Sequence, residues 1–306
     1  MEKQLPLPNG TVMEVHPKLC RVLLDDPNTQ PLLCSYRRAK VYTRGKQELK
    51  ERSPVVVGDR VEVKVLGSKD GVIEGIEPRK NELYRHAPGK EGAVIHVLAA
   101  NVDLLVIVTS VKDPDFNVGI VDRFLIAALQ NQIPSMIVTN KVDLIEGRTG
   151  LWDVYRSLSM KTVGVSVKTG EGIEELKESI RNKLTVFCGH SGVGKTSILR
   201  NILNQDIGKI GAVDVRGKGK HTTSSAVLYS SLVNNERVKV IDTPGIREFS
   251  FFDIEIIELK KYFPEFEKYQ CADYECIHDL NSENCGVKET PRYQSYLKIL
   301  ETLREK

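Results

Sequence analysis

No apolar run in this sequence approaches the roughly 20 residues of a bilayer-spanning helix, and no basic-then-apolar leader opens it. The final Leu303-Arg304-Glu305-Lys306 carries no prenylation cysteine, and Glu2 excludes myristoylation. A cytoplasmic, membrane-free monomer is the expectation. Cysteine is scarce: six in 306 residues are too few and too scattered for a disulfide framework. Neither sign of charge dominates, because 44 basic and 41 acidic residues leave a net +3. Internal repeats and low-complexity tracts are absent. What remains, 41% hydrophobic and 28% charged residues, is the composition of a globular protein, and the length suits two or three domains.

The distribution of charge says more than its sum. Seven basic residues (Arg37, Arg38, Lys40, Arg44, Lys46, Lys50, Arg52) lie between positions 37 and 52 against Glu48 and Glu51. Arg216, Lys218, Lys220 and His221 form a second knot, and beyond 254 the balance turns acidic. Two basic clusters on separate segments fit an RNA or phosphate partner.

Residues 1–83 read as short strands: Thr11–Val15, Leu19–Leu24, Leu32–Tyr36, the strictly alternating Arg60–Val65, and Gly71–Ile76. Five strands in so short a span, with no helical period, predict a small closed barrel of the oligonucleotide-binding (OB) type, a fold that offers a basic face to single-stranded nucleic acid. Pro78–Gly92 has linker composition. An α/β domain over 84–253 follows, with fully apolar strands (Leu104–Ser110, Ser135–Thr139, Thr162–Ser166) alternating with helical periods (Val121–Leu129, Gly172–Lys183), the pattern of a parallel sheet with crossover helices. Ala226–Val233 and Arg237–Ile241 read as a hairpin turning at Asn234-Asn235-Glu236. A helix-flanked, cysteine-bearing region occupies 254–306.

Gly189-His190-Ser191-Gly192-Val193-Gly194-Lys195-Thr196 fits G-x-x-x-x-G-K-S/T, after the apolar run Leu184–Cys188 and before the helix-like Ser197–Leu203. Glycines let the backbone N–H groups turn onto a phosphate, and the helix N-terminus adds its positive end. Lys195 then reaches the outer phosphates and the Thr196 hydroxyl holds Mg²⁺. Four fixed positions match by chance in roughly one such chain in a hundred, so the loop is not a stray turn. Asn140-Lys141-Val142-Asp143 selects the base. A carboxylate at 143 accepts from N1–H and the exocyclic amine of guanine, a donor pair adenine lacks. Asn140 braces the loop, and the Lys141 stem lies over the purine. Ser166-Val167-Lys168 is similar to the S-A-K tripeptide whose backbone N–H meets guanine O6. Asp242-x-x-Gly245 is expected by chance about once per chain, so its place after a strand carries it. There Asp242 holds Mg²⁺ through water and the Gly245 N–H senses the γ-phosphate. Thr222 and Thr223 both stand where a switch threonine closes on Mg²⁺.

Cys271-x4-Cys276-x-His278-x6-Cys285 supplies a Cys₃His set for one structural Zn²⁺, with no open position for water. In so small a segment the metal is expected to substitute for a core. Cys20, Cys34 and Cys188 read as core residues.

The order of these motifs is rotated. Ordinary GTP-binding proteins run phosphate loop, switch threonine, D-x-x-G, N-K-x-D, S-A-K; here the last two come first. With that order the chain resembles the circularly permuted GTPases, specifically the ribosome-small-subunit-dependent GTPase A family. The resemblance spans nearly the full length: the barrel, G-H-S-G-V-G-K-T, the H-T-T run at His221–Thr223, D-T-P-G and the zinc module. It implies binding to the small ribosomal subunit and its rRNA, a role late in subunit assembly, and subunit-stimulated conversion of GTP to GDP. One residue more than the family's spacing separates His278 from Cys285. Ile246 stands where Ras-like proteins carry a water-positioning Gln and cannot hydrogen-bond, so weak turnover in isolation is expected. His221 fits two roles: positioning the hydrolytic water, with Thr223 beside it in the catalytic switch, or facing RNA. The chain cut just after D-x-x-G suggests that loss of the γ-phosphate moves the C-terminal module. A non-enzymatic GTP-sensing rRNA-binding module leaves the guanine motifs unexplained, and a freestanding signalling switch leaves the barrel and zinc set unexplained.

Overall fold

The computed structural model describes residues 9–26, 28–36, 42–43, 55–86, 95–145, 152–204, 226–233, 236–242, 254–269, 271, 275–282 and 285–305. They fall into two compact units, one within 1–104, 180–187 and 203–245, the other within 105–179, 188–202 and 246–306.

The first unit opens with β1 (Gly10–Val15), β2 (Leu19–Leu24), β3 (Leu32–Ser35), β4 (Tyr42–Thr43), β5 (Arg60–Val65) and β6 (Asp70–Ile76). The order β3-β2-β1-β5-β6 closes on itself through a parallel β3–β6 pairing, Leu33 opposite Asp70. Alternation dictates which side chains go inside: Val61 and Val63 are buried while Glu62 and Lys64 face outward. Val12, Val22, Leu32, Ile73 and Ile76 complete the interior with Cys20 and Cys34. Both thiols are inert core groups, because burial pushes Cys20 up to about 12 and Cys34 up to about 11. The circuit, five strands with the third and last parallel, is that of the expected OB barrel.

Part of the expected linker is ordered strand. β7 (Glu82–His86) pairs antiparallel with β8 (Ile95–Ala100), Glu82 opposite Ala100. Leu83 and Ala99 are fully buried, and that burial outweighs the turn-like composition around them.

The remaining strands form a sheet in the order β11-β10-β9-β12-β14-β13. They are β9 (Leu104–Ser110), β10 (Ser135–Asn140), β11 (Thr162–Val165), β12 (Leu184–Cys188), β13 (Val227–Val233) and β14 (Glu236–Asp242). Pairings β9–β10, β10–β11 and β12–β14 are parallel, and β13 runs antiparallel to β14. Every residue of β9 and β12 is buried, as the apolar runs required. Glu236, expected in the turn, instead opens β14 opposite Val233.

The helices are α1 (Val118–Gln130), α2 (Asp153–Ser157), α3 (Ile173–Ile180), α4 (Lys195–Leu203) and α5 (Tyr293–Arg304). Asn117 caps α1, its Oδ1 accepting the Ile120 N–H at 3.1 Å. Short 3₁₀ segments at Ile256–Tyr262, Pro264–Lys268 and Gly286–Glu289 precede α5. Contrary to expectation, this C-terminal part packs around a hydrophobic core, one it shares with α1. Leu259, Phe263, Phe266, Val287, Tyr296 and Ile299 pack together with Ile126 of α1. Among the described residues no helix is long and apolar enough to cross a membrane.

Candidate nucleotide site and metal centre

Parallel strands end on one edge, and in open α/β sheets ligands bind outside that edge. The turns following β10, β11 and β12 carry the three motifs that the sequence singled out. Gly189 begins the phosphate loop at φ +139, where a Cβ would lie 2.1 Å from the Val108 carbonyl oxygen. Gly194 ends it at φ +93, where a Cβ would lie 2.2 Å from the Asn140 side-chain nitrogen. Glycine is demanded at both positions by backbone angle and by contact alike. Ser191 and Thr196 are exposed and Val193 is buried. The Lys195 ammonium donates to the carbonyl oxygens of Gly189 (2.7 Å) and His190 (2.8 Å), which hold it at the loop. His190 Nδ1 lies 2.8 Å from the Ser191 carbonyl oxygen. Cys188, just before the loop, is a buried thiol pushed well above its ordinary range by burial, against the pull of Lys195.

The guanine motif meets this loop directly. Asn140, 4% exposed, donates its side-chain N–H to the Val193 carbonyl oxygen at 2.9 Å. Lys141 takes a left-handed conformation, φ 62, which sends its ammonium to the carbonyl oxygens of Asp113 and, at 3.2 Å, Gly192. Its stem therefore runs from β10 toward the phosphate loop. Val142 and Asp143 begin a 3₁₀ turn, Val142–Leu144. Buried Ser166 donates its hydroxyl to Asp143 Oδ1 at 2.7 Å and accepts the Thr169 N–H at 3.2 Å. Lys168 Nζ stands 4.0 Å from Asp143 Oδ2, and Val167 occupies the turn between them. The carboxylate is thus oriented by Ser166 while one oxygen keeps capacity for another donor.

Asp242 ends β14, in register with Val227 and Phe187. His221, Thr222, Thr223 and Gly245, and Ile246 with them, lie outside the described residues.

The four expected metal ligands come together. Ligand atoms of Cys271, Cys276, His278 and Cys285 all lie within 4.8 Å of one another. His278 Nδ1 is 3.4 Å from the sulfurs of Cys271 and Cys276 and 3.2 Å from that of Cys285, and the Cys271 and Cys285 sulfurs are 3.8 Å apart. The longer loop before Cys285 therefore still delivers its sulfur. The Cys276 sulfur also accepts the His278 backbone N–H at 3.4 Å, and the Phe266 ring meets that of His278 edge-on at 5.4 Å.

Sequence reasoning missed a buried charge cluster beside these sites. Arg292, 1% exposed, donates to both oxygens of Glu265 (2.7 and 2.6 Å) and to Asp122 Oδ1 (2.9 Å). Burial pulls the guanidinium pKa down, but Glu265 and Asp122 more than reverse this and hold it above its ordinary value. The signal was legible in α1, where Asp122 interrupts an otherwise apolar face formed by Val121, Phe124, Leu125 and Ile126.

The RsgA GTPase family profile matches residues 76–252. The "Small ribosomal subunit biogenesis GTPase RsgA" of Chlorobaculum parvum is 37% identical over 270 residues, covering 82% of this chain and 86% of the relative. The solved structure of YjeQ from Thermotoga maritima superposes with a TM-score of 0.69 at 32% identity, covering 98% of this chain and 100% of that one. YloQ, described as a circularly permuted GTPase, gives a TM-score of 0.67 at 24% identity over 100% of this chain and 98% of its own, a likeness of fold.

Proposed function

From the RsgA GTPase family, to which this chain belongs, we propose that it takes the role of a GTP hydrolase in small-ribosomal-subunit assembly. The observation that carries the reading is the hydrogen bond from Asn140 to Val193. It joins a base-selecting motif and a phosphate-binding motif that the chain supplies in reversed succession.

In this reading Asp143 accepts the guanine N1–H and exocyclic amine, with Ser166 fixing the plane of the carboxylate. Adenine leaves those acceptors unpaired, so rejection on the order of 10⁴-fold is expected. The backbone N–H groups of 189–196 and the start of α4 face the phosphates, and Lys195 exchanges its two carbonyl contacts for phosphate oxygens. Thr196, Asp242 and one of Thr222 and Thr223 would hold Mg²⁺; hydroxyl and carboxylate oxygens are the hard donors that ion prefers. When bound, the ion neutralises charge developing on the transferred phosphoryl group. Ile246 cannot position water, which leaves that task to His221 or to a group supplied by the partner.

The Cys₃His cluster suits a structural Zn²⁺. Tetrahedral bonds of about 2.3 Å to sulfur and 2.0 Å to nitrogen separate nitrogen from sulfur by roughly 3.5 Å and sulfur from sulfur by roughly 3.8 Å; the His278–cysteine distances of 3.2 to 3.4 Å and the Cys271–Cys285 distance of 3.8 Å lie close to those values. The OB circuit and the basic residues of 37–52 and 216–221 support rRNA as the surface recognised on the subunit. We assign the barrel (1–83) to RNA recognition, the 84–253 domain to GTP and the helical module (254–306) to the structural zinc, in a monomeric cytoplasmic protein.

The test is GTP turnover with and without purified small subunits. Weak turnover alone and strong stimulation by subunits are expected. Absence of stimulation overturns the ribosomal role, and absence of guanine-nucleotide binding overturns the site. His221→Ala should abolish stimulation and spare GTP affinity.

A further inference from the structure

The segment between β9 and α1, residues 111–117, has no motif role in the nucleotide reading, yet both halves of the nucleotide site rest on it. The Ser110 hydroxyl donates to the Pro114 carbonyl oxygen at 2.6 Å. The Lys141 ammonium donates to the Asp113 carbonyl oxygen. On the phosphate-loop side, a Cβ at Gly192 would sit 3.4 Å from Pro114 Cδ. Lys141 therefore ties the turn to the phosphate loop, donating to the Asp113 and Gly192 carbonyl oxygens, and Gly192 lies beside Pro114.

That turn is anchored from behind. Phe116 is buried, its ring 6.0 Å from Tyr155 and 6.3 Å from Trp152. The Tyr155 hydroxyl donates to Asp122 Oδ1 at 2.9 Å, and the same oxygen accepts from Arg292 at 2.9 Å. Arg292 also lies 4.6 Å over the Phe263 ring and grips Glu265, which belongs to the segment whose Phe266 packs on His278. A fully buried guanidinium is an expensive way to fill space, since apolar residues of equal volume do as well or better. Its return is directional: a planar fork fixes Asp122 and Glu265 at set angles, and through Asp122 fixes Tyr155.

We propose that Arg292 is a positioning residue for guanine-nucleotide binding, acting through Asp122, Tyr155 and Phe116 on the 111–117 turn that seats Lys141 and the phosphate loop. The C-terminal module thereby sets nucleotide retention through α1 and α2, by a route independent of the D-x-x-G switch. The proposal rests on the nucleotide reading of the site.

The experiment measures dissociation of a fluorescent GDP analogue and thermal melting for the full chain, for Tyr155→Phe and Arg292→Lys, and for Leu297→Ala as a packing control. Tyr155→Phe removes one hydroxyl and should melt near the parent, yet release the nucleotide several-fold faster. Arg292→Lys, which keeps charge but loses the fork, should do the same. Leu297→Ala should lower melting and leave release unchanged. In a Lys141→Ala background Tyr155→Phe should add less than it does alone, because one of the contacts through which it acts is gone. Unchanged release in both Tyr155→Phe and Arg292→Lys overturns the proposal, as does faster release in Leu297→Ala equal to theirs. Failure of the parent to bind GDP overturns instead the nucleotide reading beneath it.

Discussion

Asn140 donates its side-chain amide to the Val193 carbonyl oxygen across 2.9 Å, joining residues 53 positions apart in the chain. The contact explains how a rotated motif order still yields one site. Strand ends fix where motifs lie, and strand ends depend on sheet order rather than on where the chain begins. It also makes Gly194 a sharp test. Alanine there would carry φ +93 and press its Cβ to within 2.2 Å of the Asn140 nitrogen. Strain of roughly 1–3 kcal/mol is expected, concentrated where the two motifs meet. Gly194→Ala should weaken GDP binding on the order of tenfold to a hundredfold by calorimetric titration, with little change in melting. Undiminished affinity would mean that the Asn140 contact does not shape the phosphate loop.

Asp143 gives a specificity reversal. An Asn at 143 presents an amide N–H where the carboxylate presented an acceptor, and xanthine offers a carbonyl where guanine offers its amine. Asp143→Asn should lose GDP by about 10³- to 10⁴-fold and gain xanthosine diphosphate. Competition of the two nucleotides against a fluorescent analogue reads both changes. Equal loss of both bases would assign Asp143 to folding rather than to selection.

Periodicity made the barrel and the sheet legible, because Arg60–Val65 and Leu104–Ser110 each follow the one pattern their burial permits. The motif residues were legible because their chemistry depends on local spacing. What escaped were features whose cause lies far along the chain. β7 forms because β8 lies opposite it, and Asp122 is accommodated on a buried face because Arg292, 170 residues later, donates to it. The core around Phe263 and Tyr296 was missed for the same reason, since Ile126 contributes to it from another element.

In the barrel, Asp25 accepts two hydrogen bonds from Arg60, at 2.7 and 2.6 Å, and these hold its carboxyl below the usual range. A depressed folded value stabilises above the unfolded value of about 4 and loses that stabilisation as pH falls through the lowered folded one. With the carboxylate half-exposed, at 48%, the contribution should not exceed about 1 kcal/mol. Asp25→Asn should therefore lower the urea midpoint slightly at neutral pH and match the parent in acid. A difference that persists in acid would trace to packing instead of charge.

Cys285 decides what the metal contributes. Binding energy in small zinc peptides, roughly 10–16 kcal/mol, is there the whole of folding. Here the ligands sit on a packed aromatic cluster, with Phe263 and Phe266 at 5.2 Å and Phe266 and Tyr296 at 5.0 Å. Part of the region should therefore outlast the ion. Cys285→Ser should lower bound zinc from about one ion per chain to near none. Hydrogen exchange should accelerate first around 275–289 and less in α5, which the Phe263–Tyr296 cluster and Arg292 continue to hold. The barrel should be unaffected, since none of its residues belongs to that cluster. Retention of a full equivalent of zinc would remove Cys285 from the ligand set. Uniform acceleration through α5 would show that the aromatic cluster cannot stand without the ion.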